Sequence, residues 1–419
     1  MVVLITVLVT AVCILIALNL TVGEKKVRHE ISHIYGIDDP SFIKSLGVLL
    51  GPSIVGGNRF EALNNGEEIF PSMLQAIRSA QKTINFETYI YWSDQIGQEF
   101  SDALSDRARH GVKVHLLIDA VGSSKMDQAA LDKMHKAGVE IRKYRPLHWY
   151  NVARYNNRTH RKLLVVDGRI GFTGGVGIAD QWTGDAQDPQ HWRDMHFRVE
   201  GPVVAQMQAV LIDNWIKATG KVLHGDDYFP GLEKVGEGSA QIFSSSPTGG
   251  SESMQLMYLL AFTAAQHSIY ISSSYFVPDE LMRQTLVSAM QRGVKVRIIV
   301  PGRHLDVDVV RRASRGLWGD LLQAGAEIYE YRPTMFHSKM IIVDELLVSV
   351  GSTNLDERSL RLNDEANLNI YDHDFAREQI VTFEQDLQRA RRISYEDWRQ
   401  RPLQEKVLEV VTSTLAPLL

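Results

Sequence analysis

The stretch RHGVKVHLLIDAVG, Arg109 to Gly122, decides the fold because the chain writes it twice: QRGVKVRIIVPGRH, Gln291 to His304, repeats its order. In each copy a helix ends at a glycine and an apolar, β-rich strand follows. Downstream, AGVEIRKYRP (Ala137 to Pro146) returns as AGAEIYEYRP (Ala324 to Pro333). Upstream, TINFETYIYW from Thr83 resembles SIYISSSYFV from Ser268, each following an alanine-rich helix. So long a period signals a duplicated domain and not a short-repeat solenoid.

A second pair of segments sits at matching places in the two copies. THRKLLVVDGRIGFTGGVG (Thr159 to Gly177) and FHSKMIIVDELLVSVGSTN (Phe336 to Asn354) align His160, Lys162 and Asp167 with His337, Lys339 and Asp344. Gly174 then matches Gly351, and Gly175 matches Ser352. One copy alone reads as an ordinary solvated strand edge. Two copies in register point to a joint active site.

Residues two apart in a strand project to the same side, so each copy offers one imidazole with one ammonium. Two such pairs facing each other make an anion site flanked by a nucleophile and an acid. A neutral imidazole, with an ordinary pKa of about 6.5, attacks phosphorus near neutral pH while its protonated partner donates to the leaving oxygen. The lysines neutralise the non-bridging oxygens. No metal and no cofactor is needed, and adjacent lysines repel a divalent cation. Asp167, in VVDGRI, reads as a hairpin turn; fixing that turn is at least as good a role as catalysis, and the same holds for Asp344. Further on, RDMHFRV aligns with DEANLNI and pairs Asp194 with Glu365. A carboxylate on the far ring nitrogen would fix the imidazole tautomer.

Composition frames these motifs. The 419 residues are 44% hydrophobic and carry a net charge of −5, which opposes a protein that grips nucleic acid through a broad positive field. The single cysteine, Cys13, excludes an intrachain disulfide and a multi-thiolate zinc site. Val2 to Val22 is an almost unbroken apolar run, long enough at about 1.5 Å per residue for one transmembrane helix. Lys25, Lys26 and Arg28 follow it and no basic residue precedes it, placing the body on the cytoplasmic side of the inner membrane as a single-pass protein. Phe42 to Gly57 is apolar but broken by Gly47, Gly51 and Pro52; contact with the membrane surface and docking on the body both remain open. The C-terminal VLEVVTSTLAPLL reads as a short amphipathic helix that packs on the body.

With both motifs placed, HRKLLVVDGRIGFTGG and HSKMIIVDELLVSVGSTNLDERS resemble the paired HKD motifs of the phospholipase D superfamily. The wider pattern, NNGEEIFPSMLQAI, FETYIYW, HWRDMHFRVEGP and NLDERSLRLNDEANL, is similar to bacterial cardiolipin synthases from Asn58 onward. The resemblance implies an α/β fold of two repeats, each a sheet flanked by helices, packed about a pseudo-twofold axis behind the N-terminal span. The corresponding division is anchor 1–22, linker 23–57, first domain 58–225 and second domain 226–419. It also implies phosphatidyl transfer through a phosphohistidine, with phosphatidylglycerol as substrate and phosphatidylglycerol or CDP-diacylglycerol as its counterpart. His160, Lys162, Asp167, His337, Lys339 and Asp344 form the implied catalytic set, with His160 the nucleophile and His337 the acid and base. Ser352 and Asn354 match positions that contact phosphate. A phospholipase D-type hydrolase is the alternative reading, a nucleic-acid phosphodiesterase a more distant one, and an inactive membrane scaffold is opposed by both intact His/Lys pairs.

Two features depart from the repeat. Gly177 stands where the family keeps an asparagine, as Asn354 does in the second copy. The first copy also carries ten extra residues between Pro146 and His160, within LHWYNVARYNNRT, and six before Asp194, within QWTGDAQDPQHW. Trp149, Tyr150, Arg154 and Arg158 in the first insertion suit a lipid entrance with anionic head groups. Trp182 and Trp192, flanking the second, read as core or rim packing.

Overall fold

The computed structural model describes residues 2–21, 27, 29–33, 35–146, 157–247 and 252–413. The first repeat contributes β1 (Val55–Asn64), β2 (Thr83–Thr88), β3 (Lys113–Asp119), β4 (Glu140–Tyr144), β5 (Leu163–Val166), β6 (Ile170–Gly174) and β7 (Met195–Glu200). The second contributes β8 (Gly238–Ser245), β9 (Ser268–Ser273), β10 (Phe276–Val277), β11 (Lys295–Pro301), β12 (Glu327–Tyr331), β13 (Lys339–Val343), β14 (Leu347–Gly351), β15 (Leu355–Asp356), β16 (Glu365–Tyr371) and β17 (Ala390–Ile393).

Strand β5 is apolar throughout, and β13 is so after Lys339, because helices or the other repeat cover both faces and no residue faces water. The glycine stops act as expected. Gly111 and Gly293 follow the helices Gln95–Arg109 and Glu280–Gln291 at φ 87 and 98, values a side chain resists.

The repeats meet at an antiparallel seam in which Val55 of β1 lies opposite Ala240 of β8, with a bulge before Asn58 and Gly238. Outward from the seam the order is β1-β7-β6-β5-β2-β3-β4 on one side and β8-β16-β14-β13-β9-β11-β12 on the other, with β17 at the far edge. The two orders correspond strand for strand, as a pseudo-twofold relation requires. Instead of a separate sheet for each repeat, there is one 15-stranded sheet, because the seam satisfies an edge that each half would otherwise leave unpaired. Behind it lies a shared core: Leu163, Val165, Phe197 and Val199 pack in one cluster with Phe336, Met340, Ile342 and Val350. The helices Val203–Thr219 and His373–Gln388 add Met207, Leu211, Phe375 and Phe383 to it.

Asp167 and Asp344 sit at the two hairpin turns. Each has φ near 50, and the Asp167 carboxylate accepts the backbone N–H groups of Gln81, Lys82 and Thr83. Asp344 does the same for Gln266, His267 and Ser268. Each aspartate therefore ties its hairpin to the start of the neighbouring strand, at the end of the sheet away from the histidines. Asp167→Ala and Asp344→Ala are each expected to lower folding stability by about 2 kcal/mol in denaturant titrations. The turnover of the folded fraction should change less than about twofold.

The N-terminal run forms the helix Val2–Thr21, with Val3, Ile5, Val7, Leu8, Val9, Val12 and Ile14 exposed. Among the described residues, however, no helix is long and apolar enough to cross a membrane, so the expected span finds no support there. Several of its side chains, together with Lys25, Lys26 and Arg28, lie outside the described residues. Phe42 to Gly57 docks on the body: Phe42 and Leu46 of the helix Pro40–Leu49 are buried in the core of the second repeat.

Candidate active site

Two isolated bridges bring the functional strands of opposite repeats together. Thr159 pairs in parallel with Asp364, and Phe336 with Arg193. The His160 N–H donates to the Asp364 carbonyl at 2.9 Å and the His337 N–H to the Arg193 carbonyl at 2.7 Å. The next side chain on each partner strand is therefore a carboxylate beside an imidazole of the other repeat.

His160 Nδ1 lies 3.0 and 3.1 Å from the two oxygens of Glu365. His337 Nδ1 lies 2.6 Å from Asp194 Oδ2. Both carboxylates are fully buried. Holding the proton on Nδ1 leaves Nε2 as the free, nucleophilic nitrogen. The alignment of Asp194 with Glu365 is thus realised in crossed form, since each repeat orients the histidine of the other.

Burial pushes His160 down to about 4, against the pull of Glu365 and with the help of Lys162. His337 is also lowered, by burial and then by Lys339, against Asp194. Both rings are therefore neutral at pH 7 in the empty site. Burial opposes charge on Glu365 and Asp194, but the neighbouring imidazoles and lysines outweigh it and hold both carboxyls below their ordinary values. Lys162 is lowered to about 7 and Lys339 to about 8, chiefly by burial.

The lysines are anchored alike. Lys162 Nζ donates to the His160 carbonyl at 2.7 Å, and Lys339 Nζ to the His337 carbonyl at 2.6 Å. Lys339 Nζ is 3.1 and 3.2 Å from the two ring nitrogens of His337, so it sits over that ring and not in its plane. It also donates to Ser274 Oγ at 2.6 Å.

His160, Lys162 and His337 line a single cavity of about 280 Å³, walled also by Tyr89, Trp182, Tyr275, Asp306, Asn354 and Asp356. Asn354 uses its side-chain oxygen to accept from Ser274 at 2.7 Å, which leaves its amide N–H₂ as the end available to an anion. Ser352 is placed differently from the expectation of phosphate contact. Its hydroxyl donates to Glu365 Oε2 at 2.5 Å, so it braces the carboxylate that braces His160. Arg158 is buried in the cavity wall, whereas Trp149, Tyr150 and Arg154 lie outside the described residues. Among the described residues no group of three or more His, Cys, Asp or Glu is arranged to hold a metal.

Close neighbours leave no room for a side chain at Gly175 or Gly177. A Cβ on Gly175 would stand 2.1 Å from Asp194 Oδ1, and one on Gly177 would meet Ile90 at 2.8 Å and Trp182 at 3.1 Å. Trp182 takes the place of both missing side chains. Its indole N–H donates to Asp194 Oδ2 at 2.9 Å, as Ser352 does to Glu365, and its ring packs edge-on to His337 at 5.4 Å. Trp192 covers the same histidine at 5.3 Å, whereas His160 has Tyr89 beside it at 5.2 Å. Sequence reasoning misses the roles of Trp182, Tyr89 and Ser274. The signal for Trp182 is its place at the edge of the six-residue insertion, opposite a missing serine and a missing asparagine.

Comparison with known proteins identifies the family and the fold. The family described as "Cardiolipin synthase, PLD-like domain" matches residues 73–208 and again 258–387. A cardiolipin synthase of Geobacillus kaustophilus (strain HTA426) is 38% identical over 360 residues, covering 85% of this chain and 72% of that protein. Another, from Geobacillus sp. (strain WCH70), is 39% identical with the same coverage. In fold, the crystal structure of phosphatidylserine synthase from Haemophilus influenzae Rd KW20 superposes with a TM-score of 0.63 at 15% identity, covering 86% of this chain and 95% of that one.

Proposed function

The chain belongs to the cardiolipin synthase family of phospholipase D-like proteins, and we propose that it is a phosphatidyltransferase that joins two phosphatidylglycerol molecules into cardiolipin. One observation carries the reading: two neutral histidines, each held by a buried carboxylate of the other repeat, face one cavity with a lysine beside each.

In the first step His160 Nε2 attacks the phosphorus of one phosphatidylglycerol. The bond from phosphorus to the head-group glycerol breaks, and His337 gives that oxygen its proton. An anionic phosphodiester in the cavity favours the protonated form of His337, so this proton enters with the substrate. In the second step the head-group hydroxyl of another phosphatidylglycerol passes its proton to His337 and attacks phosphorus. The phosphorus–nitrogen bond breaks, releasing cardiolipin and neutral His160. Lys162, Lys339 and the Asn354 amide would take the charge on the non-bridging oxygens. His160 suits the nucleophile because Trp182, Trp192 and Lys339 crowd the ring of His337. Asp306, Asp356 and the Tyr275 hydroxyl give the cavity wall acceptors for glycerol hydroxyls.

We place the enzyme at the cytoplasmic membrane, held by an anchor at 1–22 and followed by a linker at 23–57, with repeats 58–225 and 226–419. The exposed apolar side chains of the helix Val2–Thr21 support the attachment. The insertion with Trp149, Tyr150 and Arg154 would form the lipid entrance, since Arg158 at its end lines the cavity.

Purified protein with phosphatidylglycerol is expected to yield cardiolipin and glycerol in equal amounts; phosphatidic acid without cardiolipin would instead mark a hydrolase. The pH dependence of kcat/KM reports the free enzyme. Activity should rise as pH increases through about 4, where His160 becomes neutral. It should fall as pH rises further, first as His337, held below its ordinary value, gives up the proton that the leaving glycerol needs, and then through about 7 to 8, where Lys162 and Lys339 lose their charge.

A further inference from the structure

The C-terminal helix Leu403–Ser413 packs with its polar side inward. Glu409 is 2% exposed and pairs with Arg401 at 2.5 Å and Arg315 at 3.6 Å, while Glu405 reaches Arg315 at 3.6 Å. Leu403, Val407 and Val410 share one helix face and are 75%, 55% and 61% exposed, with Leu408 also exposed beside them. A helix surrounded by water does the reverse, burying such a stripe and exposing its carboxylates. A contiguous aliphatic stripe turned outward calls for an apolar cover.

We propose that this stripe docks into the lipid bilayer and thereby sets the mouth of the catalytic cavity at the membrane surface. The inference rests on the lipid-transfer reading above. Position supports it first. The helix packs on Asp308–Gly316, and Asp306 and Val307, which lead into that helix, line the cavity. Nine helical residues span about 14 Å, so only that one helix separates the stripe-bearing helix from the cavity wall. The course of the chain supports it next. Val27 and Ile31 pack on the core of the same repeat, and Glu30 accepts from Ser288 at 2.5 Å, so the apolar N-terminal segment leads to that repeat too. The chemistry supports it last. The stripe offers branched aliphatic chains without aromatic anchors or charges, a surface suited to fluid acyl chains, and the proposed substrates are diacyl lipids that stay in the bilayer.

The test uses the full chain with Cys13→Ser, so that Val407→Cys is the sole site for an environment-sensitive nitrobenzoxadiazole probe. Adding vesicles of phosphatidylglycerol and phosphatidylcholine is expected to shift its emission to the blue and make it quenchable by nitroxide-labelled lipid. A probe at exposed Asp374 should not respond. Independently, the combined variant Leu403→Gln, Val407→Gln and Val410→Gln should lose on the order of tenfold in turnover on vesicles yet keep its turnover in detergent–lipid micelles. An unresponsive Val407 probe on protein that co-floats with the vesicles would overturn the proposal. So would a probe already shielded without lipid in a concentration-dependent way, which would assign the stripe to a second copy of the chain. If no phospholipid is turned over while the probe still inserts, the proposed reaction fails and the docking surface stands.

Discussion

Glu365→Gln is expected to lower kcat by about 10³- to 10⁴-fold while leaving the fold intact. Glu365 belongs to the second repeat, but its carboxylate is bonded to His160 of the first. A glutamine amide would offer an N–H to Nδ1 and drive the ring proton onto Nε2, the nitrogen that must attack. Asp194→Asn should impose the same tautomer error on His337, and so impair proton delivery to the leaving glycerol. The two defects separate with an activated donor. A phosphatidyl ester of p-nitrophenol leaves without protonation, so its first-turnover burst should return in Asp194→Asn and stay absent in Glu365→Gln. If each carboxylate served the histidine of its own repeat, the pattern would be reversed.

The second large effect concerns the histidines themselves. His160→Ala removes the attacking atom and is expected to cost at least about 10⁴-fold in turnover, with no burst from either donor. His337→Ala should lose as much with phosphatidylglycerol, since the ring acts in both steps. With the p-nitrophenyl donor it should release one equivalent of p-nitrophenol and stop, because no base remains to activate the acceptor. Equal bursts from both variants would remove the division of labour between the rings.

Much of this arrangement is legible in the amino-acid sequence. The doubled glycine-then-strand segments at Arg109 and Gln291 define two equivalent halves, and the spacing of His160, Lys162 and Asp167 locates the site and its copy. The hairpin role of Asp167 and Asp344 also follows from local chemistry, because a turn is set by adjacent residues. What stays hidden is long-range. No local pattern says that Asp364 and Arg193 pair with the strands of the opposite histidines, so the crossing of Glu365 and Asp194 appears only when the halves are docked. Alignment by family position likewise puts Ser352 on phosphate, whereas its hydroxyl is spent on Glu365. Trp182 shows why repeats mislead where they differ. Beside a six-residue insertion it reads as packing, yet its indole replaces the serine that Gly175 lacks and fills the room that Gly177 leaves.

Those assignments converge on one covalent species. His337→Ala protein, mixed with the p-nitrophenyl phosphatidyl donor, quenched and digested, should carry one phosphatidyl group per chain on the peptide containing His160. Modification at any other residue, or p-nitrophenol released with no adduct on the protein, would contradict the two-step mechanism across the joined repeats.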